Sequence, residues 1–123
     1  METTDYNNIA LKFSLLFNAL SHPARLQIML HLAKFNGCPA GSISEKLPLA
    51  KSTVSEQLNK LKEAGLITCN AEGSCLNYHI SDEGFELVKE SFTEFLDLME
   101  QGQAQRSDCC TKHLKLDKIL NEI

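Results

Sequence analysis

Five cysteines carry the strongest potential for chemistry in this sequence: Cys38, Cys69, Cys75, Cys109 and Cys110. An odd number of thiols, in a chain whose amino-terminal residues are polar and acidic, does not fit a disulfide-bonded exported protein. Cys109 and Cys110 are adjacent, and neighbouring thiolates suit a soft, thiophilic ion. The cysteines therefore predict metal, metalloid or redox chemistry. The simpler interpretations are half-buried apolar thiols and, for the adjacent pair, a tail that carries two thiols without a role.

A second group of candidate residues lies on the polar side of a helix predicted at about residues 52–64. Ser52 is its expected N-cap, and Gly65 suits the left-handed stop. Its inward-facing residues follow the spacing i, i+4, i+7: Val54, Leu58 and Leu61. The polar residues on its outer faces are Thr53, Ser55, Glu56, Gln57, Asn59 and Lys60. These side chains can form hydrogen bonds with another molecule, and the alternative is an ordinary solvated helix face.

Two longer helices are predicted before this one. The first covers residues 8–20, with four apolar residues on one face: Ile9, Phe13, Leu16 and Leu20. The second follows Pro23, which is tolerated in a first helical turn, and either Ser21 or His22 can cap it. Its apolar stripe is predicted to be Leu26, Met29, Leu30 and Ala33. The dipeptide Asn36-Gly37 ends the second helix.

A short helix is predicted next, at about residues 40–47, with Ile43 and Leu47 facing inward and Pro48 ending it. After the polar helix, the β-prone runs 66–69 and 76–80 surround a loop at 70–74 and predict a hairpin. Ser81 is expected to cap a long helix with a broad apolar stripe: Phe85, Val88, Phe92, Phe95, Leu96 and Met99. A polar linker and a last amphipathic helix complete the chain, the latter with Leu116, Ile119, Leu120 and Ile123.

This order predicts a fold that is mainly α with a small β-hairpin (α+β). The arrangement is a winged helix-turn-helix, ααααββα plus a short C-terminal helix. In such folds the second helix of the helix-turn-helix enters the major groove of DNA, and the wing can lie along the adjacent backbone. We expect the DNA-reading unit at roughly residues 38–80.

The charge distribution is compatible with DNA binding, although the formal net charge is −4. Only the face on the DNA needs to be positive. Four lysines fall between residues 46 and 62: Lys46, Lys51, Lys60 and Lys62. Much of the acid lies later, between Asp82 and Glu100. The sequence has no run of about 18 apolar residues, so no transmembrane helix is expected, and we expect a cytoplasmic protein.

Three blocks of sequence resemble the ArsR/SmtB family of metal-responsive repressors. Residues 20–28 (LSHPARLQI) resemble the opening of the family's second helix, and residues 52–67 (STVSEQLNKLKEAGLI) resemble its recognition helix. Residues 72–78 resemble its wing. The resemblance covers about residues 9–95, and the three blocks occur in the family's order.

The resemblance implies a transcriptional repressor and not an enzyme. It implies a homodimer formed by helix one and the long helix of residues 82–100, bound to a palindromic double-stranded DNA operator until an inducer releases it. Residues 1–100 would be the DNA-binding and dimerisation domain, and residues 101–123 a linker and short helix that carry the cysteine pair. The implied DNA contacts are Lys51, Ser52, Thr53, Ser55, Glu56, Gln57 and Lys60, with Glu72 and Gly73 in the wing.

The chemistry of these side chains agrees with that role. Hydroxyl groups can donate to phosphates or base edges, Gln57 can pair with adenine in a bidentate manner, and Lys51 suits phosphate. Glu56 stands where the family commonly has arginine. It can either accept a hydrogen bond from the cytosine N4 amino group or point away from the DNA.

The family's usual inducer sites are missing from this sequence. Pro39 and Gly41 replace its Cys-x-Cys pair, no histidine occurs between residues 81 and 105, and Leu30 replaces a helix-two cysteine. What remains is Cys109 and Cys110, whose placement resembles that in some arsenic-responsive members. Trivalent arsenic or antimony, as arsenite for example, would be the inducer, with no catalytic cofactor.

Such an ion prefers three thiolates, so the adjacent pair needs a third ligand. The candidates are Cys38, Cys69 or Cys75, and His113 for a different metal. The other histidines, His22, His31 and His79, have no acidic or cysteine partners at ligand spacing and are expected to have structural or surface roles.

Two other functions stay open. The same repressor can sense oxidants or reactive sulfur through its cysteines, and Cys69 and Cys75 are candidates because they can be near neighbours across the hairpin. The fold can also serve as a protein-interaction module without DNA binding. A thiol enzyme is disfavoured because no base or Cys-x-x-Cys motif accompanies a nucleophile.

Overall fold

Four helices, a hairpin and a long helix follow one another in the described part of the chain, which is residues 6–107 of this computed structural model. They are α1 (Tyr6–Leu20), α2 (Pro23–Lys34), α3 (Ala40–Lys46), α4 (Lys51–Glu63), β1 (Ile67–Glu72), β2 (Cys75–Ile80) and α5 (Asp82–Ala104). The predicted winged helix-turn-helix order, mainly α with a small hairpin, is confirmed. The predicted last helix lies outside the described residues.

Side chains cap α2 and α5 as the sequence predicts. The Nδ1 atom of His22 accepts a hydrogen bond from the Ala24 N–H at 3.0 Å, where α2 begins. The hydroxyl of Ser81 accepts one from the Gly84 N–H, also at 3.0 Å, where α5 begins. Each cap satisfies an N–H group that the helix itself leaves unpaired, and so defines the helix start.

The start of α4 differs from the prediction, because Ser52 is not its N-cap. The extended residue before the helix is Ala50 (φ −68°, ψ 150°), and its side chain makes no capping hydrogen bond. Lys51 is the first helical residue, so Ser52 already lies inside the first turn. Its side chain is exposed, and its hydroxyl is available to another molecule.

The hydrophobic core lies between α2, α3, α4 and the base of the hairpin. Its fully buried residues are Ile28, Leu32, Ile43, Val54, Leu58, Leu61 and Leu66. The three from α4 confirm the inward face predicted for that helix. Burying each aliphatic side chain of this size contributes about 1.5–3 kcal/mol. Helix α4 is therefore anchored by its inner face, and its outer face is left for other contacts.

The buried face of α2 is only partly the one predicted, because Met29 alone of the predicted stripe is half-buried and packs against the core. Ala24, Arg25, Ile28 and Leu32 are buried. Leu26 and Leu30, from the predicted stripe, are 46% and 73% exposed. The sequence carries two apolar stripes on this helix, each at a spacing of four residues. The prediction chose Leu26 and Leu30 because the charged Arg25 interrupts the true inner face.

The hairpin is longer than predicted, and its register is well defined. Strands β1 and β2 pair antiparallel from Ile67 opposite Ile80 to Glu72 opposite Cys75. Gly73 in the connecting turn has a left-handed φ of 65°, a conformation that glycine adopts without strain. A tight turn at Gly73 and Ser74 needs fewer residues than the five-residue loop predicted, so the strands extend further.

A short bridge fixes the base of the wing to the start of α3. The Tyr78 carbonyl accepts hydrogen bonds from the Gly37 and Cys38 N–H groups at 3.0 and 3.1 Å. The Tyr78 N–H donates to the Cys38 carbonyl at 2.8 Å. The wing is therefore connected directly to the helix-turn-helix.

Helix α5 begins beside the core. Its Phe92 ring stacks on Phe17 of α1, with ring centroids 4.8 Å apart, and Val88 packs against the core. The chain divides into two compact units between Phe92 and Thr93, inside this helix. The proposed division into residues 1–100 and 101–123 stays a prediction. No helix within residues 6–107 is long and apolar enough to cross a membrane.

Candidate nucleic-acid interface

The helix-turn-helix consists of α3 and α4, joined by a turn at residues 47–50. Pro48 prevents α3 from continuing, since it has no N–H to donate. The Leu49 N–H donates to the Leu47 carbonyl at 2.7 Å, which tightens the turn. The two helices pack through Ile43 and the inner face of α4, so the outer face of α4 is turned away from the core.

The structure brings most of the predicted DNA-contacting residues together on that outer face. The exposed ones are Lys51, Ser52, Ser55, Glu56 and Lys60, while Thr53 is half-buried. Their spacing of three and four residues places them on adjacent turns of one helix side. The face combines hydroxyl donors, two ammonium groups and one carboxylate, which together can contact phosphates and base edges.

Glu56 and Lys60 form an ion pair along α4. The Lys60 Nζ lies 3.7 Å from the Glu56 Oε1, with side chains 53% and 64% exposed. A pair this exposed adds little stability. It does orient both groups, and it partly neutralises the one carboxylate that would otherwise repel a phosphate.

The expectation for Gln57 is wrong, because this side chain faces inward. Gln57 is only 4% exposed, and its Oε1 accepts a hydrogen bond from the Arg25 Nη1 at 2.6 Å. A buried amide that is already paired cannot reach adenine unless the contact with Arg25 breaks. The prediction failed because Gln57 stands between Val54 and Leu58 on the edge of the inner face, where helical spacing alone does not separate inside from outside.

Arg25 is a residue whose role sequence reasoning missed. The residue is 8% exposed, and its guanidinium has partners on two other elements. Besides Gln57 of α4, it donates to the Ala19 carbonyl through Nε at 2.7 Å and to the Asn18 carbonyl through Nη2 at 3.2 Å. The only signal was its place beside a helix start, in the block that resembles the ArsR/SmtB family.

The wing presents few charged groups. Glu72 and Gly73 are exposed at its tip, as are Asn70 and Ser74. The segment 67–80 contains no lysine or arginine. The wing can therefore approach DNA through backbone N–H groups and amide or hydroxyl side chains, but it adds no cation to the lysines of α4.

The wing cysteines do not lie side by side as the sequence suggested. Cys69 stands opposite Tyr78, and Cys75 stands opposite Glu72. In an antiparallel ladder, directly opposite residues share a face and successive residues alternate. Cys69 and Cys75 therefore project from opposite faces of the hairpin, so a disulfide between them or a shared metal site is excluded.

Cys69 instead contacts Tyr78. Burial is the main cause that raises the pKa of the Tyr78 phenol above its ordinary value, and the neighbouring Cys69 thiol raises it further through charge and a hydrogen bond.

Cys38 has a histidine neighbour that the sequence did not indicate. Its Sγ lies 3.8 Å from the His31 Nε2 and donates to the Phe35 carbonyl at 2.8 Å. The expectation that His31 has no cysteine partner is therefore wrong. The turn around Gly37 folds the end of α2 back toward the start of α3, which brings residues seven positions apart together.

The predicted inducer site cannot be placed on the structure. Cys109, Cys110 and His113 lie outside the described residues. Within residues 6–107, no group of three or more histidine, cysteine or acidic side chains is arranged to hold a metal ion. The candidate third ligands Cys38, Cys69 and Cys75 are all free thiols.

A helix-turn-helix with a polar outer face, followed by a two-stranded wing, defines the winged helix-turn-helix class. The family model described as "Bacterial regulatory protein, arsR family" matches residues 22–68. The transcriptional repressor SdpR of Bacillus subtilis is 30% identical over 86 residues, which cover 70% of this chain and 91% of SdpR. The chain belongs to the arsR family of transcriptional regulators.

Other relatives agree with this assignment. The biofilm growth-associated repressor of Agrobacterium fabrum is 31% identical over 74 residues, 60% of this chain. The match spans 62% of that repressor's length. Among solved structures, reduced HlyU from Vibrio cholerae has a TM-score of 0.60 at 25% identity, covering 74% of this chain and 93% of HlyU. The homodimeric winged helix-turn-helix domain of Mb0332 from Mycobacterium bovis has a TM-score of 0.58 at 22% identity, covering 83% and 91%, and shows the fold alone.

Proposed function

We propose that this protein is a sequence-specific repressor that reads double-stranded DNA with the outer face of α4. The observation that carries the proposal is the exposed set of hydroxyl and ammonium groups on a helix whose other side is buried in the core. Lys51 and Lys60 would contact phosphates, and Ser52, Thr53 and Ser55 would contact phosphates or base edges. Glu56 would accept from a cytosine amino group. Glu72 and Gly73 would lie close to the backbone.

The protein would act as a homodimer on a palindromic operator. Apolar side chains remain exposed on α1 and on the first turns of α5, including Leu11 at 58%, Leu15 at 78% and Phe85 at 55%. Exposed groups of this size on two helices are typical of a surface that another subunit covers. The Mb0332 domain is described as homodimeric. Two symmetric recognition helices would require two symmetric half-sites.

A selection from a randomised double-stranded DNA pool, followed by anisotropy titrations at several salt concentrations, tests DNA reading. The variant Lys51→Ala/Lys60→Ala should bind more weakly, and its salt slope should fall by about 0.9 for each lost phosphate contact. The matched control is Lys89→Ala, which removes an exposed lysine of α5 outside the helix-turn-helix and wing. Binding that is unchanged in the α4 variant would refute the assignment. Failure of the unmodified chain to bind DNA would favour a protein-interaction module.

We infer that the inducer is a thiophilic metal or metalloid, with trivalent arsenic or antimony as the preferred candidates. The support is the adjacent thiol pair Cys109 and Cys110 together with membership of the arsR family. Arsenite should release the selected DNA from the wild-type protein, with a coupling of order 1–3 kcal/mol. The double variant Cys109→Ser/Cys110→Ser should bind DNA equally well but resist arsenite. Release that persists in this variant would contradict the site; zinc, cadmium and peroxide serve as comparison treatments.

A second candidate signal is oxidation, and the contact between Cys38 and His31 favours it. A basic ring beside a thiol is a feature of reactive cysteines. Hydrogen peroxide would take two electrons and two protons from Cys38 and a second thiol, forming a disulfide and two water molecules. Peroxide should then lower DNA affinity in the wild type but not in Cys38→Ser. Equal responses of the two proteins would exclude Cys38 as the sensor.

A further inference from the structure

Arg25 is a buried cation whose partners are neutral oxygens. Its three hydrogen bonds go to the Asn18 carbonyl, the Ala19 carbonyl and the Gln57 side chain, at 3.2, 2.7 and 2.6 Å. Because Arg25 as a whole is only 8% exposed, its guanidinium loses most of its hydration, and this loss is costly unless its donors are satisfied. The three acceptors fix the group in one position, because a planar fork of donors tolerates few alternative arrangements.

Two of the acceptors belong to the last turn of α1. Asn18 and Ala19 lie just before its final residue, Leu20. Carbonyl groups at a helix C-terminus have no intrahelical partner and carry the negative end of the helix dipole, so a cation is favourable there. The Ser21 hydroxyl also donates to the Asn18 carbonyl, at 2.8 Å. The carbonyl groups at the end of α1 thus form a defined binding site for the guanidinium.

The third acceptor lies at the centre of the proposed DNA-reading helix. Gln57 follows Glu56 directly, and the half-buried Thr53 and the exposed Lys60 lie one turn before and after it. Its neighbours on the inner face are aliphatic and impose little directional constraint, because hydrophobic contacts are non-directional. The hydrogen bond from Arg25 is directional, so it defines how far α4 can rotate or slide.

We propose that the Arg25–Gln57 pair positions the recognition helix relative to the end of α1, and that discrimination between operator and other DNA depends on it. This inference rests on the proposed function, since it assumes that α4 reads DNA. Replacing a buried polar pair with apolar residues of similar volume is often neutral for stability. The pair therefore fixes the orientation in which Ser52, Ser55 and Glu56 face the DNA. Phosphate contacts tolerate small displacements better than base contacts, which are geometrically strict.

The test measures the affinity of the full chain for operator DNA and for random-sequence DNA. The operator is the sequence obtained by selection from the randomised pool. In Arg25→Met/Gln57→Met, both side chains keep an unbranched shape but lose the hydrogen bond. The ratio of operator affinity to random-DNA affinity should fall by about tenfold, while binding to random DNA stays close to wild type and a cooperative thermal transition shows that the variant is folded. In Gln57→Glu, which keeps an acceptor facing Arg25, the ratio should remain within about twofold of wild type.

A double-methionine variant that discriminates as well as wild type would overturn the proposal. If this variant does not fold, Gln57→Met alone is compared with Gln57→Glu, and equal discrimination by these two would also overturn it. A wild-type chain that binds no DNA would instead refute the proposed function, before either variant is considered.

Discussion

The close approach of Gly84 to the backbone of Gly65 and Leu66 makes it a sharp test of how α5 packs on the residues after α4. Gly84 lies in the first turn of α5 and is buried against the residues that follow α4. A Cβ placed on it would overlap the Gly65 carbonyl oxygen and come within 3.0 Å of the Leu66 Cα. Both are backbone atoms. The change Gly84→Ala therefore cannot be accommodated by turning a side chain, and one of the two segments must move.

The expected magnitude is the difference between two opposing effects. Alanine in a helix normally gains about 0.5–1 kcal/mol over glycine. Inserting a methyl group into a packed site costs about 1–3 kcal/mol, and the upper part of that range applies where backbone must shift. We expect a net loss of about 1–2 kcal/mol. The matched control is Gly102→Ala in the same helix, where nothing lies within 4 Å of the added Cβ, and where the propensity gain should appear alone.

Urea titrations followed by far-ultraviolet circular dichroism measure both changes. All proteins are compared at one concentration, because the stability of the proposed dimer would depend on protein concentration. For a chain of this size, the Gly84→Ala midpoint should fall by about 1 M urea, and the Gly102→Ala midpoint should stay or rise. A Gly84→Ala protein as stable as wild type would show that the two backbones can separate without cost, and the reasoning from close approach would be wrong.

Two further predictions concern a helix cap and an ionisable ring. Ser81→Ala should lower the free energy of unfolding by about 1 kcal/mol because it removes the cap of α5, whereas Ser52→Ala should leave stability unchanged and weaken DNA binding; equal stability losses would contradict the capping assignment. The raised pKa of Tyr78 means that the folded state favours the neutral phenol. Its contribution to stability is therefore complete below a pH of about 10 and is lost as the pH rises through the higher folded-state pKa. Urea midpoints should accordingly fall above that pH, and fall less in Tyr78→Phe. Cys69→Ala should lower the pKa of Tyr78, as followed by tyrosinate absorbance, and an unchanged titration would exclude the thiol as a cause.

The order of elements could be predicted from the sequence because local signals specify it. Pro23 and Pro48 restrict the backbone, Gly65 can adopt the left-handed conformation that other residues avoid, and Ser81 caps as expected. The inner face of α4 followed from its apolar spacing. These features depend on residues within one or two turns of each other, so they can be judged without the rest of the fold.

The site was harder to predict because its decisive contacts are not local. Gln57 and Arg25 are separated by 32 positions. No residue close to Gln57 in the sequence indicates that its side chain accepts a hydrogen bond from a buried donor. The inner face of α2 was misjudged for the same reason, since a buried arginine looks like a surface residue until its acceptors are known. The prediction that Cys69 and Cys75 are neighbours was wrong because it assumed another strand register. The hairpin turn has two residues instead of five, and this places the two cysteines on opposite faces.

The positions of the cations explain how a chain with an acidic net charge can bind DNA. The wing segment 67–80 has none, and α5 begins with Asp82 and Glu83. The lysines of α4 are then the main cations near the proposed DNA face, and Lys60 is already engaged by Glu56. A protein with so few phosphate contacts gains little from non-specific electrostatic attraction. Under the proposed function its affinity would then depend largely on base contacts, which are effective only if the recognition helix is correctly oriented. A buried hydrogen bond that aims α4 therefore matters more here than it would in a strongly basic repressor.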